Sequence, residues 1–166
     1  FIHICFWLVQ VGDYLISISS TENKMFLVHP IFQSVGILMA VYVWWLGFQR
    51  FKMSHFKQKN RFNWKQHVRV GTIASINWII GICGGLYIVK SSWYGILITG
   101  IHSKIGILII FLILFALGSG WYMNLKKKKR KILPLVHAIS NTIMLLLALS
   151  QIYTGIMVYR EFVLGL

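Results

Sequence analysis

The sequence predicts an all-α transmembrane protein: a four-helix up-down bundle with an additional N-terminal interfacial (or fifth spanning) helix. Three observations lead there. The 166 residues are 57% apolar, with a mean hydropathy of +0.70. Only 12% are charged, about half the ~25% of a soluble domain. Four apolar runs each approach the ~20 residues that cross a bilayer core. A net charge of +14, from 17 Lys+Arg against 3 Asp+Glu, would fit disorder in a polar chain, but not in one this apolar. An ordinary soluble enzyme is excluded by the same figures.

Residues 1–24 form the least regular segment. The stretch from Phe1 to Ser20 is apolar but interrupted by His3, Gln10 and Asp13. An interfacial helix fits it, with a fifth span as the alternative. The four-helix core occupies 25–160, and 161–166 is a tail. The first run extends from about Met25 to Phe48, with Pro30 expected in its first turn, where a missing N–H costs nothing. The second extends from about Val68 to Val89, the third from Trp93 to Leu125 and the fourth from Ile132 to Tyr159. Trp44, Trp45, Trp93, Tyr94, Trp121, Tyr122 and Tyr159 cluster at run ends, as an aromatic belt requires.

The positive charge resolves into two links. Arg50, Lys52, Lys57, Lys59, Arg61, Lys65 and Arg69 fall between or beside runs one and two, and Lys126 to Lys131 between runs three and four. In an up-down bundle both links lie on one membrane face. The positive-inside rule makes loops 50–69 and 124–131 stromal or cytoplasmic. The basic run reads as a topology signal and an anionic-lipid contact, not as a nucleic-acid site.

Six histidines occur. His3 lies in the leading segment and His55 in the basic link, where it is expected to be solvated. The other four fall one per run: His29, His67, His102 and His137, separated by 38, 35 and 35 residues. Successive helices alternate direction, so His29 and His102 approach one face and His67 and His137 the other. First and third helices of such a bundle are diagonal, as are second and fourth. The chain thus offers two cross-bundle histidine pairs, and two opposed imidazoles are what a six-coordinate haem iron requires. Both His67 and His102 are followed by the pattern H-x-[R/K]-[V/I]-G, which places Gly71 and Gly106 one turn on, where a flat macrocycle needs room. Arg69, Lys104 and Lys65 are candidates to neutralise propionates; Ser140, Asn141 and Gln151 could bond imidazole, propionate or water. By count from Trp93, His102 should lie ~13 Å inside the boundary. His67 requires the second helix to begin earlier than its apolar run. The bland alternatives are interfacial histidines and packing glycines such as the G-x-x-x-G of Gly81 and Gly85.

At these residues the chain resembles the cytochrome b561 core, which has one haem-ligand histidine on each of four consecutive helices, pairing first with third and second with fourth. It is also similar to a short four-helix membrane family of unknown function from cyanobacteria and plastids, which shares the His29-Pro30 opening. The resemblance covers roughly Met25 to Tyr159. It implies His29 with His102 on one haem b and His67 with His137 on a second. Larger members have six helices and basic residues at ascorbate sites, which do not map here. The ferric-reductase pattern of two histidines on one helix is absent.

The leading expectation is therefore a di-haem b-type cytochrome passing electrons across or within a membrane, with two haems expected and at least one. It would be an electron-transfer protein or oxidoreductase subunit rather than a stand-alone catalyst. Quinone or a small reductant, membrane lipid and protein partners in a larger complex are the expected associates. Thylakoid and bacterial inner membrane are the candidate locations. The alternative is an accessory or anchor subunit of a photosynthetic or respiratory complex, holding haem, pigment, quinone or lipid without turnover. The spanning runs lack acids, which removes the carboxylate relay of a proton channel. Cys5 and Cys83 cannot form a disulfide framework, no C-x-x-C-H attaches haem covalently, and no phosphate-cradling glycine motif appears.

Overall fold

A computed structural model describes residues 24–59 and 61–166. The N-terminal segment expected to lie at the interface, with His3, Cys5, Asp13 and Glu22, is outside the described residues. Four helices make up the described chain: α1 Lys24–His55, α2 Trp64–Trp93, α3 Ile101–Leu125 and α4 Ile132–Phe162. With 32, 30, 25 and 31 residues, each is long and apolar enough to cross a membrane.

Each boundary has a local cause. α2 starts at Trp64 because Asn63 caps it, its side chain accepting the Gln66 N–H at 3.2 Å, while Asn63 Nδ2 donates to Gln66 Oε1 at 3.0 Å. This early start brings His67 into the helix, as the site required. α2 ends at Trp93 because Tyr94 turns left-handed at φ 55°. The third helix does not begin at Trp93, as its apolar run implied. Gly100, at φ 58°, opens it, and the greasy residues 96–98 form a connecting turn instead. His102 accordingly lies in the first turn of α3, nearer the helix end than the residue count predicted. Pro30 lies inside α1, past the first turn; such a proline is tolerated in membrane helices where neighbours and side chains satisfy the freed backbone. His55 is the last residue of α1 rather than a loop residue; its exposed ring lies against Phe51, with centroids 4.3 Å apart.

Sequential helices pack as neighbours, and α1 also packs on α4. The order round the bundle is therefore 1-2-3-4, with α1/α3 and α2/α4 diagonal. The centre is apolar: Trp78 (2% exposed) and Ile113 (0%) pack with Ile37, Ile109, Ala116, Met144 and Ala148. Polar groups tie α1 to α2 across this core. Asn77 Nδ2 donates to the Phe32 carbonyl at 2.7 Å, and Trp78 Nε1 to that of Gln33 at 3.3 Å. Trp44 Nε1 reaches Thr142 Oγ1 on α4 at 3.0 Å. The outward faces carry Leu38, Ile73, Ile80, Phe111, Leu114, Leu146 and Tyr153, all exposed, as a lipid-facing surface requires. Of the 17 Lys+Arg, all but Lys24, Lys90, Lys104 and Arg160 lie at the end formed by the α1–α2 and α3–α4 links.

Candidate functional site

The four helix histidines meet in two diagonal pairs. His29 of α1 and His102 of α3 have ring centres 6.2 Å apart, crossing at 78°. His67 of α2 and His137 of α4 are 6.4 Å apart at 66°. Two imidazoles sharing one metal along an axis, each with a nitrogen–metal distance of about 2 Å, hold their ring centres about 6 Å apart. Both pairs therefore have the spacing a haem iron between them needs.

Hydrogen bonds hold the Nδ1 side of each ring. His29 Nδ1 lies 2.6 Å from the Gly81 carbonyl, and His67 Nδ1 lies 3.1 Å from that of Val43. Carbonyls only accept, so both Nδ1 atoms carry the proton. His137 Nδ1 is 2.7 Å from Ser119 Oγ, whose own proton goes to the Phe115 carbonyl at 2.6 Å. His102 Nδ1 is 2.9 Å from Thr154 Oγ1, which donates to Gln151 Oε1 at 2.9 Å. Gln151 Nε2 in turn donates to the His102 carbonyl at 2.8 Å, which fixes the amide's orientation. In all four rings a carbonyl or hydroxyl holds Nδ1, an arrangement that fixes the ring and suits its Nε2 side to a metal.

Each ring rests on a glycine of the neighbouring helix. A Cβ at Gly85 would stand 2.5 Å from His29 Nδ1, and one at Gly47 would stand 3.2 Å from His67 Cε1. At Gly155 it would meet His102 Cε1 at 3.4 Å, and at Gly120 His137 Cε1 at 3.6 Å. These four glycines were not singled out as histidine seats in the sequence, although a signal existed. Each follows the histidine of its own helix by 18 residues: His29 and Gly47, His67 and Gly85, His102 and Gly120, His137 and Gly155. Eighteen residues are five turns, so histidine and glycine share a face about 27 Å apart. Antiparallel neighbours then set each histidine opposite the other helix's glycine.

The expected accessory residues are distributed unevenly. Gly106 lines a cavity of about 910 Å³ that also holds His29, His102, Gly85, Gly155 and Gln151, within the size range of cofactor sites. A Cβ at Gly71 would instead meet Val43 Cγ1 at 3.4 Å. Arg69, Lys104 and Lys65 are exposed, whereas Arg160, which the sequence reading left aside, lines the cavity. Asn141 donates to the His137 carbonyl at 2.7 Å within α4. Among the described residues no cluster of three or more His, Cys, Asp or Glu side chains could hold a metal ion. Four imidazoles, in two opposed pairs with glycine floors, are a donor set that fits haem.

The family model for eukaryotic cytochrome b561 matches residues 28–162, a stretch that takes in all four histidines and runs to the last residue of α4. No curated protein and no solved structure matches the chain. The chain belongs to the cytochrome b561 family, whose members are membrane haem b electron-transfer proteins.

Proposed function

We propose that the chain is a di-haem cytochrome that carries electrons from one membrane face to the other, with His29 and His102 holding one haem b and His67 and His137 the second. The observation that carries the reading is the pair of diagonal imidazole couples, 6.2 and 6.4 Å apart, with every Nδ1 held by a carbonyl or hydroxyl. Haem bound there supplies reversible one-electron exchange at iron. The residues supply the rest. His29 with His102 and His67 with His137 would hold the two haems through their paired imidazoles. At Gly85 and Gly47 the bare backbone leaves the neighbouring imidazole room that a Cβ would crowd. Trp78, Ile113 and their neighbours keep the space between the two layers free of water. Arg160 offers the cavity at the His29/His102 end a cation for an acidic ligand group. The excess of Lys and Arg at the other end makes that end stromal or cytoplasmic by the positive-inside rule.

The experiment is vectorial electron transfer in proteoliposomes, with ferricyanide trapped inside and dithionite added outside. The intact protein should bleach the trapped ferricyanide, and His67→Ala and His102→Ala should each abolish the bleaching. A variant lacking either histidine that still transfers at the parental rate contradicts the reading.

A further inference from the structure

The two histidine layers differ in one respect that symmetry does not explain. At His29 and His67 the proton acceptor is a bare backbone carbonyl, of Gly81 and Val43. At His102 it is a side-chain relay that closes on itself. His102 Nδ1–H donates to Thr154 Oγ1, Thr154 donates to Gln151 Oε1, and Gln151 Nε2 returns to the His102 backbone carbonyl at 2.8 Å. Ser119 at the other layer accepts from His137, but its own proton goes to carbonyls of its own helix. It has no returning arm.

From this closed ring we propose that Thr154 and Gln151 are positioning residues that set the reduction potential at the His29/His102 pair, independently of the other pair. The proposal rests on the haem reading above. A hydroxyl that is itself donating is a better acceptor, because hydrogen bonds in a chain polarise one another. Thr154, donating to Gln151, therefore draws more strongly on the His102 Nδ1 proton than an isolated hydroxyl would. That gives Nε2 more negative character, and a more basic axial ligand favours ferric over ferrous iron. The relay thus holds this site lower in potential than its ligands alone would, and it also fixes the ring's rotation.

The test is a redox titration of the purified holoprotein, followed by optical and low-spin ferric EPR spectra, for the parent, Thr154→Val, Thr154→Ser and Gln151→Leu. Thr154→Val keeps the shape and removes the acceptor. It should favour the ferrous form of one component by about tenfold, the lower end of second-shell effects on metal sites, which is about 59 mV for one electron. The other component should not move. Thr154→Ser should restore the parental potential, and Gln151→Leu should shift the same component in the same direction by less. If Thr154→Val leaves both components in place, or if Thr154→Ser is shifted as far as Thr154→Val, the relay does not set the potential. Should Thr154→Val not fold, an unshifted Gln151→Leu overturns the proposal by itself. A parent without two low-spin components overturns the haem reading instead, so the two failures are distinguishable.

Discussion

A glycine beneath an imidazole is a constraint on a single atom, and the four seats grade that constraint. The Cβ position at Gly85 is 2.5 Å from His29 Nδ1, closer than real contacts permit, while that at Gly120 is 3.6 Å from His137 Cε1, an ordinary contact. Gly85→Ala must therefore push His29 off its bond to the Gly81 carbonyl, whereas Gly120→Ala can be absorbed. The expected outcome is loss of most of one haem in Gly85→Ala and full occupancy in Gly120→Ala, read from haem absorbance per chain. Equal occupancy in both would show that the seats do not position the rings. The histidines were legible in the sequence because their one-per-run spacing is a chemical oddity in an apolar chain. The glycines were less so, because a glycine in a membrane helix is common; only the recurring 18-residue offset from each histidine distinguishes these four. Thr154 and Ser119 could not have been found at all without the structure. Their role depends on which neighbouring helix their hydroxyls face.

Helix limits were legible where charge or capping marks them and illegible where apolar residues continue into a turn. The basic link marked the end of α3 at Leu125, whereas α1 runs past Phe48 through Arg50 and Lys52 to His55; the Asn63 cap on the Gln66 N–H explains why α2 begins before its apolar run. The α2–α3 turn was lost because residues 96–98 are as hydrophobic as the helices they join. There the signal was Gly95 and Gly100, not hydropathy. Packing between elements makes a further prediction. A Cβ on Gly36 would run into the Trp78 indole, which is rigid and almost wholly buried at 2% exposure. Gly36→Ala should cost about 1–3 kcal/mol through overpacking and lower the thermal midpoint in detergent. Gly84→Ala and Gly118→Ala meet nothing within 4 Å. They should hold or raise that midpoint, since alanine is favoured over glycine in a helix by about 1 kcal/mol. A Gly36→Ala protein as stable as its parent would place the tight α1/α2 contact in error.

For the whole molecule, the charge asymmetry carries the orientation and the helix order carries the chemistry. The 1-2-3-4 order puts the histidines of α1 and α3 across one diagonal and those of α2 and α4 across the other, so up-down topology alone sorts four similar residues into two pairs. Orientation can be tested separately. In a chain lacking Cys5 and Cys83, a cysteine replacing Lys128 should react with a membrane-impermeant maleimide from the stromal or cytoplasmic side, and one replacing Tyr94, 95% exposed at the opposite end, from the other side. The reverse pattern would invert the orientation without touching the site. The central claim is that the bundle holds two haems on two independent histidine pairs. The haem-to-protein ratio of the purified chain by pyridine haemochrome tests it most directly: two b-type haems per chain are predicted, falling to one in His102→Ala and likewise in His67→Ala. A ratio of one or zero in the parent, or a ratio of two that survives His102→Ala, would contradict it.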